Sequence, residues 1–401
     1  MKSRVSAAVL GIVCFGLGAA VQRMYDGYRP AQAQTSQIVK ADETGVFIDV
    51  EEEGARIEVD LTDEPLFAYG FTTPAAPGDK ALPQVPPSRD LRPEEDPAEQ
   101  TRLRRVEGSG ASYSRVDIRD GSNVIDWFPG DHPPMPDIIK HGPVRSGKEK
   151  RGCGSCHLPN GKGRPENAQP GGLPATYIVR QLNDFRNGLR YTADPRKPNT
   201  NTMIKLAKAM TDEEVREAAE YFAAIKWTEP WVRVVETDLV PKTRIQGNLF
   251  IATEKARTEP IAGRIIEVPE DEEQSEVARN PRSGFVAYVP VGSLKKGKDL
   301  VTTGGMRIVD DKIVQGKTTA CGTCHGIDLL GVADVPPIAG RSPSYIVRQI
   351  YDMQRGTRNG ASAQLMKLAI ASLTTEDIVA IAAYVASVPP TTGAPHVTST
   401  N

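Results

Sequence analysis

The sequence lacks an excess of basic residues, since 49 Lys and Arg stand against 51 Asp and Glu, a formal net charge of −2. With no basic stripe either, the charge gives no indication of a nucleic-acid partner. Apolar residues are slightly few, at 39%, and the 36 Gly and 32 Pro indicate much loop. At 401 residues the chain nevertheless suits two or three domains of an ordinary soluble protein.

The apolar run near the amino terminus, residues 6–21, is short for a bilayer span of about 20 residues. Lys2 and Arg4 precede it and a small-x-small site at residues 31–33 follows it, so residues 1–34 are predicted to be an export signal. Because that site lies farther past the run than usual, an uncleaved membrane anchor is the alternative. In both cases we expect the body of the chain in the periplasm.

Cysteine and histidine are scarce, with five of each, yet most cysteines belong to one repeated pattern. Cys153-Gly-Ser-Cys156-His157 returns 168 residues later as Cys321-Gly-Thr-Cys324-His325. C-x-x-C-H is the attachment pattern of c-type haem: the thiols form thioethers to the two vinyl groups of one porphyrin, and the histidine reaches the iron. The sequence therefore predicts two covalently bound haem c groups. The remaining cysteine, Cys14, lies in the leader and is interpreted as a small hydrophobe.

The same offset extends beyond the cysteines. Tyr177-Ile-Val-Arg-Gln181 returns as Tyr345-Ile-Val-Arg-Gln349, and apolar residues at i, i+4 and i+7 predict an amphipathic helix in each copy. Further on, where the offset is 163, Thr211 and Thr374 each precede an acidic residue by three positions, which predicts a capped final helix. Duplicated modules are therefore expected.

The segments outside the copies have a different pattern. Three β-branched or aromatic runs at residues 232–235, 265–268 and 285–289 predict a small β-rich connector between the copies. Ahead of the copies, alternation at residues 46–50 and 56–59 predicts a hairpin in an acidic region, and residues 73–105 are predicted to be a Pro-rich linker.

A methionine occupies an equivalent place in both copies. In the register of the final helix Met203 matches Met366, whereas Met210 matches Leu373 and is interpreted as core. An iron held by one histidine takes a sixth ligand or stays open, and methionine is one such ligand. Met203 and Met366 are therefore favoured as iron ligands over simple apolar filler. His132, His141 and His396 are interpreted as surface or loop histidines.

On these residues the chain resembles the class I c-type cytochromes, specifically exported two-haem proteins built from two modules. In that family a helix precedes the motif, a Gly/Pro loop and a helix opening with Tyr follow, and a Met loop leads to the final helix. Residues 136–227 and 291–388 match this order. The resemblance implies thioethers at Cys153, Cys156, Cys321 and Cys324, proximal ligands His157 and His325, and distal ligands Met203 and Met366.

The resemblance also implies further cofactor-binding residues. Family members use a proline carbonyl to orient the proximal histidine, which implies Pro336 in the second copy. In the first copy the nearest proline, Pro170, is about two residues out of register. Tyr177 and Tyr345, which open the helix after the motif, complete the set.

The predicted fold class is mainly α, with two cytochrome c-like helical haem domains joined by a small β-rich connector and a partly irregular N-terminal extension. The predicted segments are a signal peptide or anchor (1–34), an acidic extension with a Pro-rich linker (35–125), cytochrome c domain 1 (126–228), the connector (229–290), cytochrome c domain 2 (291–391) and a tail (392–401).

Three functions fit this pattern. The first is a periplasmic carrier of single electrons between a respiratory or dehydrogenase donor and a downstream acceptor. The second is the cytochrome subunit of a larger oxidoreductase, with a permanent redox partner. The third is a two-haem enzyme, such as a peroxidase or a small sulfur-compound dehydrogenase. Because enzymatic chemistry needs an open or displaceable iron ligand and polar acid/base groups, the symmetric methionines favour electron transfer without catalytic residues.

Overall fold

The computed structural model describes residues 40–41, 47–48, 97–193, 198–227, 231–246, 249–253 and 258–391. The predicted leader, residues 56–59 of the predicted hairpin and the tail lie outside these ranges. Ahead of residue 97 the described residues form two short strands that pair with each other, β1 (Lys40–Ala41) and β2 (Phe47–Ile48). Strand β2 thus lies within residues 46–50, the first strand of the predicted hairpin, but its partner among the described residues is β1, which precedes it.

The segment before the first module is packed where it is described. It contains helices α1 (Pro97–Thr101) and α2 (Arg115–Arg119), and Ser114 closes a capping box at the start of α2. Ile118 lies in a buried cluster with Trp127 and Ala278, which belongs to the segment between the modules. Residues 97–125, the carboxyl-terminal part of the predicted linker and extension, are therefore folded onto the rest of the chain.

The described residues of the first module form the helices α3 (Asp137–Lys140), α4 (Gly154–His157), α5 (Ala175–Arg186), α6 (Pro198–Ala209) and α7 (Asp212–Ala223). A turn of 3₁₀-helix at Val144–Glu149 precedes α4. Thr211 caps α7 with a capping box to Glu214, as the sequence predicts. The buried faces of α5 and α7 meet in one apolar cluster that includes Ile178 and Phe222.

Between the modules, the residues that the structure describes form the strands β3 (Val232–Glu236), β4 (Leu239–Pro241), β5 (Thr243–Gln246), β6 (Leu249–Ala252), β7 (Thr258–Pro260), β8 (Ile266–Pro269) and β9 (Phe285–Val289). A three-stranded sheet has the order β3-β9-β8, with β3 parallel and β8 antiparallel to β9. Strands β4 and β7, and β5 and β6, form two antiparallel pairs. A turn of π-helix, Glu273–Val277, lies between β8 and β9.

The second module repeats the helices of the first and adds a hairpin. It contains α8 (Ser293–Thr303), the hairpin strands β10 (Arg307–Val309) and β11 (Lys312–Val314), α9 (Gly322–His325), α10 (Pro343–Gln354), α11 (Gln364–Ile370) and α12 (Thr375–Ser387). The Thr374 capping box at the start of α12 is also formed. Helix α8 packs tightly on α12, because a Cβ on Gly297 would lie 2.0 Å from the Ala380 carbonyl oxygen.

The predicted methionine loops are wrong in one respect, because both methionines lie on helices. Met203 is within α6 and Met366 is within α11. The residues that follow Met203, Ile-Lys-Leu-Ala-Lys-Ala, are mostly strong helix formers, which accounts for a helix where the family pattern implied a loop.

In the described part of the chain, no single helix is long and apolar enough to cross a membrane. One pair of segments, Ala361–Ile370 and Thr375–Ser387, has the necessary length and composition only when taken together, with a 112° bend between them.

Candidate haem sites

Each C-x-x-C-H motif forms one helical turn. The amide of His157 donates to the carbonyl of Cys153 at 3.0 Å, and that of His325 to Cys321 at 2.9 Å. Residues at i, i+3 and i+4 share one face of a helix, so both cysteines and the histidine of a motif point to the same side. This is the arrangement that two thioethers and one iron ligand require.

Each motif histidine is oriented by a hydrogen bond from its ring. His157 Nδ1 lies 2.8 Å from the carbonyl oxygen of Ala168, and His325 Nδ1 lies 2.8 Å from that of Pro336. Both acceptors follow their histidine by the same number of residues, so the two loops match in register. The Pro170 candidate is therefore wrong. The bond needs only a backbone carbonyl at this place, and alanine supplies one as well as proline does.

The same bond leaves the other ring nitrogen, Nε2, available as an iron ligand. Burial lowers the pKa of His157 and of His325, even though the backbone carbonyls at Ala168 and Pro336 oppose this effect. Burial thus favours the neutral imidazole, which is the form that ligates metal.

The two methionines occupy equivalent environments. Met203 packs at the edge of the apolar cluster of the first module, and Met366 at the edge of that of the second. Met210 is only 4% exposed and its counterpart Leu373 only 7%. The interpretation of Met210 as core is confirmed. Met203 and Met366 are each partly accessible thioethers beside a module core.

The modules meet through equivalent residues. Arg358 Nη2 donates to the Tyr177 hydroxyl at 2.6 Å and to Gln181 Oε1 at 2.9 Å, both in the first module. In the reciprocal pair, Arg190 Nη2 donates to the Tyr345 hydroxyl at 3.2 Å and to Gln349 Oε1 at 2.8 Å. We call these six residues the module-interface network.

The backbone continues this pairing. Arg190 and Arg358 face each other in an antiparallel bridge, with Tyr191 N donating to Thr357 O at 3.0 Å and Asn359 N to Leu189 O at 2.7 Å. The sequence prediction included the two tyrosines but missed both arginines. The signal was present, since Arg190 and Arg358 share the 168-residue offset of the cysteines.

The electrostatics of this network suit an anionic group. Arg190 is 8% exposed and Arg358 is 6% exposed, so two cations are held close together away from water. Burial alone would raise the pKa of Tyr345, but Arg190 and Arg358 outweigh burial and lower it. Among the described residues, Arg358 Nε is buried without a hydrogen-bond partner. A haem carries two propionate carboxylates, and buried guanidinium groups with a donor to spare fit such a group.

Two other histidines have local partners. His132 Nε2 lies 3.2 Å from Asp126 Oδ1, and its Nδ1 lies 2.9 Å from the Tyr221 hydroxyl. His132 lies in a loop, as predicted, but its side chain is only 2% exposed, so it is not a surface residue. His141 Nδ1 lies 2.9 Å from Ser122 O. His396 lies outside the described residues.

Comparison with known proteins gives consistent matches. The family model described as cytochrome c matches twice, at residues 148–226 and 311–389. Cytochrome c-554(548) of Halomonas halodenitrificans is 38% identical over 74 residues, which cover 18% of this chain and 89% of that protein. Cytochrome c4 of Azotobacter vinelandii is 33% identical over 87 residues, which cover 20% of this chain and 41% of that protein. A thiosulfate dehydrogenase electron acceptor of Thiomonas intermedia is 24% identical over 245 residues, covering 60% and 80%.

Two helical modules, each with a C-x-x-C-H turn and an oriented histidine, define a c-type cytochrome. The chain belongs to the cytochrome c family, as a class I member with two modules, and it carries two covalently bound haem c groups. It is a dihaem electron-transfer cytochrome.

Proposed function

We propose that this chain moves single electrons in the periplasm between a dehydrogenase or respiratory donor and a downstream acceptor. The module-interface network is the observation that carries this proposal. It joins the two modules through residues that suit haem propionates, so both cofactors would approach the same interface. Electrons could then pass from one module to the other within the molecule.

The iron ligands proposed are His157 with Met203 in the first module and His325 with Met366 in the second. The oriented histidines and the equivalent methionines support this assignment. When bound in this way, the haem has no open iron position and undergoes one-electron redox chemistry, with methionine favouring the reduced state. Histidine orientation by Ala168 and Pro336 would keep the iron environment unchanged between redox states.

The propionate partners proposed are Tyr177, Tyr345, Arg190 and Arg358. Arginine pairs with carboxylates through two parallel hydrogen bonds, and the hydroxyl groups of the partly buried Tyr177 and Tyr345 supply further donors. The partly buried Asp184 also lies close to the arginines, where burial raises its pKa despite their opposing charge. These groups would fix the haems at the module interface.

The donor proposed is a dehydrogenase that oxidises a small sulfur anion such as thiosulfate. The relative from Thiomonas intermedia bears the name thiosulfate dehydrogenase electron acceptor and aligns over both modules. The chain would serve as a free carrier or as a permanent subunit of a larger complex. The predicted leader supports export of the chain in either case.

A redox assay with a separate dehydrogenase tests this function. The oxidised protein is mixed with a thiosulfate dehydrogenase and thiosulfate, and haem reduction is followed by absorbance. We expect two electrons to be taken up per chain only when the dehydrogenase is present. Reduction by thiosulfate alone, or turnover of peroxide by the chain, would show an enzyme and contradict the proposal. Pull-down from the native periplasm then distinguishes a carrier from a subunit.

A further inference from the structure

The two attachment motifs are equivalent in sequence but differ in exposure. In the first motif Ser155 is 9% exposed and His157 is 8% exposed, so both are buried. In the second motif Thr323 and Cys324 are exposed and His325 is only partly buried. The environment of the motifs, and not their local fold, therefore distinguishes the modules.

Residues 276–281, which we call the covering loop, lie against the first motif. Arg279 Nη1 donates to the carbonyl of Ser155 at 3.0 Å, inside the motif itself. Asn160 Nδ2 donates to the Pro281 carbonyl at 2.8 Å, and Arg164 Nη1 to Glu276 Oε2 at 2.7 Å. Three separate bonds thus hold the covering loop on the motif and on the residues that follow it.

The covering loop is also held from its outer side. Trp127 Nε1 donates to the Ala278 carbonyl at 2.8 Å. Directly after the loop, Arg282 stacks on Phe128, with 3.7 Å from its guanidinium carbon to the ring centre, and pairs with Asp131 at 2.7 Å. Val124 lies in the same segment as Trp127 and Phe128 and packs on the first motif, since a Cβ on Gly154 would lie 3.0 Å from Val124 Cγ1. Two segments, the covering loop and residues 124–131, therefore enclose the first motif and also contact each other.

The second module has different residues at the positions that hold the covering loop. At the 168-residue offset, Asn160 corresponds to Asp328 and Arg164 to Val332. Ile327, the residue two places after His325, is 94% exposed, and Val332 is 56% exposed. Single exposed apolar residues are ordinary, but two beside an exposed haem-attachment cysteine form a contact surface of apolar character. We call residues 323–333 the second motif loop.

The exposure of an attachment motif indicates how accessible the attached edge of its haem is. Thioether bonds join the motif cysteines to carbons on one edge of the porphyrin, so that edge lies directly beside them. Electron tunnelling slows steeply with distance, and a protein partner has to bring its own cofactor close to an accessible edge. With haem attached, the covering loop would interpose a layer of protein at this edge in the first module, whereas the second motif loop would leave the edge open.

We propose that protein partners exchange electrons only at the second motif loop, and that the first haem exchanges electrons only with the second. This inference rests on the proposed electron-transfer function. Each electron from a partner enters the second module and passes across the module-interface network to the first iron, which changes from Fe(III) to Fe(II). A second electron then remains on the second iron. The molecule holds two electrons that enter and leave through one surface.

The partner that fits this surface is a redox protein whose accessible cofactor edge is surrounded by apolar residues, with a basic side chain facing Asp328. Asp334, directly after the second motif loop, accepts hydrogen bonds from Thr176 and Arg180 of the first module. Because this carboxylate is already paired, the surface of the second motif loop is mainly apolar. The rate of electron exchange with a partner should therefore depend only weakly on salt.

A blocking label tests the inference on the full haem-bearing protein. Asp328→Cys is labelled with a polyethylene glycol maleimide, the other motif thiols being consumed by haem attachment. The matched control is Val116→Cys with the same label. Val116 is 55% exposed and lies on α2, whose Ile118 lines a small cavity between the covering loop and the first motif. The fully reduced proteins are mixed with the oxidised copper protein azurin, and haem oxidation is followed by stopped flow.

We expect the label at residue 328 to slow oxidation of both haems by at least tenfold, and the label at residue 116 to change the rate less than twofold. Ferricyanide, which is small, should still oxidise both haems of each labelled protein rapidly. If half of the absorbance change keeps its unlabelled rate in the Asp328→Cys protein, the first haem has its own access and the inference is overturned. If the unlabelled protein exchanges with neither azurin nor mitochondrial cytochrome c, the proposed function itself fails.

Discussion

At the scale of single residues, each proposed iron site depends on one hydrogen bond from the histidine ring. The acceptor is a backbone carbonyl in both modules, from Ala168 and Pro336 at 2.8 Å. Because a backbone oxygen is held by the surrounding loop, its position does not depend on the side chain. The histidine orientation is thus a property of the loop, whereas the sixth ligand depends on a particular side chain.

The methionine assignment predicts a specific pattern among single substitutions. Met203→Ala and Met366→Ala should each leave both haems attached but open the iron of one module, lowering its reduction potential. Met210→Leu is the matched control, since Leu373 fills that place in the second module, and a volume-conserving swap is tolerated. Absorption spectra and a spectroelectrochemical titration report both properties. Unchanged spectra and potentials in both alanine variants would show that the ligands lie elsewhere.

The arginines of the module-interface network predict a change in potential. Arg358→Gln removes a buried cation that would stabilise the reduced state of the adjacent haem. The midpoint potential of that haem should therefore fall. Arg216→Gln, at a surface ion pair with Glu213, is the control and should leave both potentials unchanged. A redox titration of the two variants measures this. Equal potentials in the wild type and in Arg358→Gln would show that this arginine does not interact with a haem.

The site residues could be predicted from the sequence only where the chemistry requires a particular side chain. Cysteine, histidine and methionine are the residue types that the haem chemistry needs, so their spacing and duplication carry the prediction of the attachment residues and iron ligands. Ala168 was missed because a carbonyl acceptor leaves no mark on residue type. Arg358 was missed for another reason. It shares the 168-residue offset with Arg190, but its partners Tyr177 and Gln181 belong to the other module, and the offset does not show which surfaces of the modules meet.

At the scale of elements, helices with a clear apolar period were predictable and short connections were not. The helices after each motif and the two capped final helices follow directly from periodicity and capping residues. The methionine segments were expected as loops, since the family pattern outweighed local helix propensity. The covering loop has no periodic pattern, and only its contacts with the first motif show what it does.

The contact between α8 and α12 predicts strong sensitivity at Gly297. A Cβ there would lie 2.0 Å from the Ala380 carbonyl oxygen, so Gly297→Ala has to separate the two helices. We expect a loss of about 1–3 kcal/mol in unfolding free energy, the usual cost of overpacking. Denaturant titration of the haem-bearing protein measures it.

Gly110→Ala is the matched control, because no atom lies within 4 Å of a Cβ at that position. Its unfolding free energy should change by less than about 0.5 kcal/mol. Equal stability of the two alanine variants would mean that the helices can move apart at little cost.

At the scale of the whole molecule, the connector contacts both modules through buried polar groups. Glu267 on β8 is 1% exposed, and its Oε2 accepts from the Ser342 hydroxyl at 2.8 Å and from the Ser344 amide at 3.3 Å. Ser342 in turn donates its amide to Gln169 Oε1 at 2.7 Å, in the first module. The connector therefore does more than link the modules, because one carboxyl group lies where all three parts meet.

This carboxyl group predicts a pH-dependent stability. Burial raises the pKa of Glu267 from 4.5 to about 7, against the opposing effects of Ser344, Ser342 and Arg348. Between these values the folded chain keeps a proton that the unfolded chain has lost, so stability falls as pH rises through this window. At 1.36 kcal/mol per pKa unit, the loss is about 3 kcal/mol.

Glu267→Gln should remove this part of the pH dependence, because an amide does not titrate. Unfolding free energies of wild type and variant, measured by denaturant titration at pH 5 and pH 8, give the comparison. The wild type should lose more stability than the variant between the two values. A parallel response of the two proteins would show that Glu267 is ionised in the folded state.

We propose that histidine and methionine bind both irons, which would restrict the chain to electron transfer. Near-infrared magnetic circular dichroism of the fully oxidised protein, with the haem content fixed by mass spectrometry, tests it most directly. We expect two haems per chain and a methionine-to-iron charge-transfer band with the intensity of two such bonds. A band of half that intensity, or a high-spin signal from either iron, would contradict it.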